Sequence, residues 1–80
     1  MRLPRDVSGG QLGRALGKRG YILARQKGSH LRYTTQLGGT HHLTIPDHRP
    51  VKMGTLHGIL KDVAGQHGLS VEELLRQLDL

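Results

Sequence analysis

Leu56, Ile59, Leu60, Val63 and Ala64 recur at i, i+3, i+4, i+7 and i+8, a complete apolar stripe along one side of a helix. A stripe of that width has to be buried against another layer. The chain has 80 residues and no cysteine, so neither a disulfide nor a thiolate-bound metal can take the place of a packed core. One domain spanning residues 1–80 is expected, at the size where a single core is only just sufficient.

The remaining pattern supplies the other layer. Ser8-Gly9-Gly10-Gln11 has capping-box spacing, with Leu12, Ala15 and Leu16 behind it, and predicts a helix over Gly9–Arg19. Gly13 and Gly17 weaken it by about 1 kcal/mol each, and Gly20 suits the left-handed position after its last turn. Tyr21–Gln26 reads as a strand, Lys27-Gly28-Ser29 as a turn and His30–Gln36 as a second strand. Gly38-Gly39 marks a hairpin, followed by a third strand over His41–Ile45 that Pro46 ends. Asp47–Met53 is a loop, and the striped helix begins near Thr55. Ser70-Val71-Glu72-Glu73 is a second capping box. It opens a C-terminal helix within residues 69–79, whereas Met1 to Val7 reads as a loose start. The expected class is α+β: a three-stranded antiparallel sheet with helices on one face and the other face open.

Charge narrows the function. Residues 1–46 carry eight Lys and Arg against Asp6 alone, a net +7, whereas residues 47–80 carry four against five acids, a net −1. A field concentrated in one half attracts a polyanion, most obviously nucleic acid. No apolar run is long enough for a membrane span or a secretory signal, so a cytoplasmic protein without membrane contact is expected.

Several chemistries are excluded. Six scattered carboxylates give neither an acid–base pair nor a two-metal cluster. No glycine-rich phosphate loop is present. Six histidines raise the question of a metal, but no HExxH spacing exists and adjacent His41 and His42 point to opposite sides of a strand. No metal and no cofactor are expected. His41, His42, His48, His57 and His67 read as surface or core-edge residues, and a protonated His67 would suit the C-terminal end of its helix.

His30 stands apart. It follows a Gly-Ser turn at the mouth of a strand, with Arg25, Lys27 and Arg32 close in sequence. If Leu31 and Tyr33 pack beneath the helices, His30 and Arg32 look out from the open face. An imidazole among cations can move the protons that metal-free RNA cleavage requires, while Lys and Arg stabilise charge on the phosphorane. A lone surface histidine has the same local spacing. Lys52, with Gly54 and Thr55 opening the striped helix, offers a charge and unpaired N–H groups to a phosphate; Thr55 is equally suited to cap that helix.

Gly20-Tyr21 leading through Arg25-Gln26-Lys27 to Gly28-Ser29-His30 resembles the "G-aromatic … R-x-x-G-S-H" signature of HicA (YcfA-like) toxins. Lys52-Met53-Gly54-Thr55-Leu56 with Ile59-Leu60-Lys61 is similar to that family's "K-x-G-T-L-x-x-I-L-K" block, and Gly68–Leu74 to its terminal helix. The resemblance covers about residues 8–78. It implies a fold like a double-stranded-RNA-binding domain and a metal-independent endoribonuclease, an mRNA interferase that halts translation. It implies an acidic HicB-type antitoxin partner and a catalytic histidine at His30. Gly28 would shape the turn; Arg25, Lys27, Ser29, Arg32, Lys52, Gly54 and Thr55 would bind RNA or stabilise the transition state. The chain departs from the family at Leu31–Thr35, where a second histidine is usual. The free protein is expected to be a monomer. The rival reading is a module of the same fold that grips structured RNA without cutting it, and a third is a regulatory subunit active only in complex.

Overall fold

The computed structural model describes residues 2–80; Met1, the first residue of the expected loose start, lies outside them. The elements are α1 (Gly9–Leu16), a 3₁₀ turn (Gly17–Arg19), β1 (Ile22–Lys27), β2 (His30–Thr35), β3 (His41–Pro46), α2 (Met53–His67) and α3 (Val71–Leu78). The strands form one antiparallel sheet in the order β1-β2-β3. The class is α+β, as expected.

Both capping boxes form. Ser8 accepts from the Gln11 N–H and Ser70 from the Glu73 N–H, and each partner side chain reaches back to the serine N–H. The first helix is shorter than expected. Its α-helical part ends at Leu16 and tightens into the 3₁₀ turn before Gly20 reverses the chain at φ 83°.

Of the two glycines that weaken the helix, Gly17 has open space around it whereas Gly13 has a packing reason that Gly9 shares. A side chain at Gly9 would collide with the Pro46 carbonyl, and one at Gly13 with the Tyr33 ring. The two lie four residues apart on one face, so α1 can approach the sheet at backbone distance. Leu12 and Leu16 complete that contact.

The core lies between the sheet and the helices. Leu31 and Tyr33 of β2 and Leu43 and Ile45 of β3 meet Leu12, Leu16 and the α2 stripe, while Leu74 and Leu78 of α3 close the far side. Each fully buried leucine contributes about 1.5–3 kcal/mol. Val7 also belongs to this core, and its carbonyl accepts from the Val51 N–H at 2.8 Å. The start of the chain is therefore anchored by its seventh residue instead of being loose throughout.

β1 is the exception. All six of its residues are exposed, Ile22 at 72% and Leu23 at 46%. Tyr21, expected as its first residue, lies outside the strand and is the buried anchor that brings it in.

Candidate functional site

The sheet has one covered and one open face, and strand parity decides which side chain meets which. In β2, Leu31, Tyr33 and Thr35 are buried, whereas His30 and Arg32 are exposed on the opposite side. Counting from buried Tyr21, strict alternation would turn Arg25 and Lys27 toward the helix side. A bulge between Leu23 and Arg25 adds one residue and reverses that parity. Lys27 then stands opposite His30, and Arg25 opposite Arg32. On the other flank His30 pairs with Pro46 and Arg32 with Thr44.

The open face therefore gathers Arg25, Lys27, His30 and Arg32 at the end of the sheet beside the β1–β2 turn. Gly28 holds φ 58° in that two-residue turn, and the Ser29 carbonyl accepts from the Asp47 N–H at 2.6 Å. Ring hydrogen bonds among the described residues belong to His41, His42 and His67; the His30 ring has none. Like charges directly opposite each other destabilise a strand pair, so the Arg25–Arg32 pair disfavours the free protein and favours an anion between the strands. His42 shares this face, its Nδ1 lying 2.9 Å from Thr34 Oγ1. The cross-strand pairing that the Gly-Gly turn dictates was the available signal for that contact.

Lys52, Gly54 and Thr55 lie elsewhere, in the helical layer. α2 begins at Met53, two residues earlier than expected, with Lys52 as its N-cap and no side-chain cap. Thr55 is the third helical residue and does not cap. Unlike the starts of α1 and α3, this one leaves its first N–H groups without a side-chain partner. Lys52 lines a separate cavity with Arg5, Asp6 and Met53, which none of the open-face cations enters.

Sequence reasoning missed a second constellation, at the opposite end of the sheet. Tyr21 Oη lies 2.7 Å from His41 Nδ1 and 3.1 Å from His67 Nε2, and His41 Nε2 lies 3.2 Å from Asp62 Oδ1. A carboxylate oxygen of Asp62 accepts from His41 Nε2–H, which leaves His41 Nδ1 to accept from the Tyr21 hydroxyl. Tyr21 then donates to His41 and accepts from His67 Nε2–H. Every member of this hydrogen-bonded series then has a partner.

Burial raises the Tyr21 hydroxyl from 10.0 to about 12, with Asp62 adding to the rise and Arg19 opposing it. Burial also lowers the His67 pKa, assisted by Arg19 and His41. The expectation of a protonated His67 at the helix end is therefore corrected. Desolvation, with the neighbouring Arg19 and His41 adding to it, outweighs the dipole there. No sequence signal was available, because Tyr21 and His67 are 46 residues apart.

Among the described residues no three His, Cys, Asp or Glu side chains come close enough to hold a metal ion. No helix is long and apolar enough to cross a membrane. A family model described as HicA toxin of bacterial toxin–antitoxin systems matches residues 9–64. No curated protein and no solved structure matches the chain.

Proposed function

The chain belongs to the HicA toxin family, the toxin side of a toxin–antitoxin pair, and on that premise we propose that it is a metal-independent endoribonuclease acting on mRNA. The supporting observation is the exposed His30 ring, free of any hydrogen bond within the described protein and faced across the strand pair by Lys27. His30 accepts the proton of a ribose 2′-OH. The 2′-oxygen then forms a bond to the adjacent phosphorus, the bond to the 5′-oxygen breaks, and the departing oxygen takes a proton from water. The products are a 2′,3′-cyclic phosphate and a 5′-hydroxyl end. Arg25, Lys27 and Arg32 stabilise the additional negative charge on the phosphorane.

Gly28 and Ser29 hold His30 at the hairpin tip. Lys52 and the uncapped N–H groups at Gly54 and Thr55 take a more distant phosphate of the same RNA. The single domain acts as a monomer in the cytoplasm, where translated mRNA is found. A cognate antitoxin of acidic character silences it by covering the open face. The charged rim of that complex makes the association salt-sensitive.

The test is cleavage of an mRNA by the purified chain with EDTA present, compared with His30→Ala. Cleavage by the parent leaving cyclic phosphate ends, abolished in the variant, is expected. An equally active variant would remove His30 from the mechanism, and RNA bound but left uncut by the parent would favour the binding-only module.

A further inference from the structure

On the helix side of the sheet, away from His30, a groove of about 390 Å³ lies between the start of α1 and the strands. Arg14, Leu23, Leu31, Tyr33, Asp47 and Arg49 line it. The size falls within the range of pockets that take a small organic ligand, about 300–1,000 Å³.

Two independent observations point to a ligand in it, the first of them to an anionic group. Arg14 folds back along α1, its Nη1 standing 3.3 Å from where a Cβ on Gly10 would be. A cation is thus laid beside the positive end of a helix whose first turn has no acidic residue. Neither Arg14 nor Arg49 belongs to an ion pair among the described residues, although Asp47 lines the same groove. The second observation is Tyr33, only 7% exposed, whose hydroxyl lies against Gly13. That hydroxyl has no hydrogen-bond partner among the described residues. Arg19 Nε is the one unpartnered side-chain polar atom sealed from solvent there, so the Tyr33 hydroxyl opens outward, and the groove is the cavity it lines. A hydroxyl on an otherwise buried ring that opens into the groove with no protein partner is free to bond a group held there.

The geometry points to a second RNA subsite in this groove, holding one nucleotide that flanks the phosphodiester at His30. The inference rests on the endoribonuclease reading and adds a binding surface on the far side of the sheet. Arg14 and Arg49 meet the phosphate, and Leu23 and Leu31 give the base an apolar wall. The Tyr33 hydroxyl and the Asp47 carboxylate supply a donor and an acceptor for the ribose or the base edge. The two faces connect over a short path. His30 and Leu31 are consecutive residues on opposite faces, and Asp47 is hydrogen-bonded to Ser29 at the hairpin tip. The RNA strand turns around that tip.

The experiment uses His30→Ala as the parent, so that a fluorescein-labelled single-stranded RNA survives, with anisotropy titrations between 50 and 200 mM salt. Tyr33→Phe keeps the ring over Gly13 and removes one hydroxyl; it is expected to weaken binding about three- to tenfold with the salt slope unchanged. Arg14→Gln and Arg49→Gln each lower that slope by about one. Arg32→Gln, on the open face, is the comparator, and thermal melts check that every variant is folded. Groove variants that bind like the parent while Arg32→Gln loses affinity would overturn the second subsite and leave the RNA reading standing. A parent with no affinity for RNA would overturn both.

Discussion

At one end of the sheet His30 presents its ring to solvent without a partner among the described residues; at the other, both ring nitrogens of His41 are engaged, by Tyr21 and Asp62. The residue type is the same and the two lie on adjacent strands. The difference lies in what surrounds them. His41 sits on the covered side, where a desolvated phenol and a carboxylate fix its tautomer and hold β3 to α2. His30 sits on the open side, where the neighbours are cations that repel one another and that no described residue pairs with. A histidine whose hydrogen bonds are internally complete serves the fold, and one left unsatisfied beside uncompensated charge is available to a ligand.

The largest effect that tests this contrast is catalytic. His30→Ala is expected to lower RNA cleavage by about 10²–10⁴-fold with an unchanged melting temperature. His41→Ala should do the reverse, retaining cleavage while losing stability, and a cleavage assay paired with thermal melts separates them. Next, replacing Arg25 and Arg32 together by Gln should reduce the salt slope of RNA binding by about two, measured as log K against log salt. Tyr21→Phe removes the hydroxyl that both imidazoles share, and urea denaturation should register a loss of about 1–3 kcal/mol.

The pH response at the His41 end follows from linkage. The folded pKa of His67 lies below its ordinary 6.5, so its contribution is present above that value and is lost as pH falls through the lowered one. Tyr21, raised to about 12, contributes fully below pH 10.0 and loses its contribution as pH rises toward 12. Stability measured against pH should therefore be highest between these limits, and Tyr21→Phe should flatten the alkaline limb. The smallest effect is at the open face. Arg32→Thr relieves the like-charge pair and should stabilise the fold by about 0.2–1 kcal/mol while weakening RNA binding. Opposite signs in the two assays are the expected signature.

Local signals carried most of the fold. The Leu56–Ala64 stripe, the two serine capping boxes and the Gly-Gly turn each act within a few residues, so they are legible without tertiary information. The same holds for the His30–Arg32 face, which follows from β2 parity. What escaped the sequence depends on contacts between distant segments. The bulge in β1 has no composition of its own, because Tyr21-Ile22-Leu23-Ala24 reads as an ordinary apolar strand. Gly13 reads only as a helix weakener until the Tyr33 ring is placed against it. The start of α2 was misplaced because no capping side chain marks it, and His67 because its neighbours come from two other elements.

The exposure of β1 has a further consequence. Since none of its six side chains is enclosed, packing sets no requirement on their volume or shape, and they can be exchanged at little expense to stability so long as the backbone pairing to β2 survives. On the proposed function, the identity of Arg25 and Lys27 answers to the RNA that docks from outside. This ribbon is where specificity can drift between related toxins while the interior stays as it is.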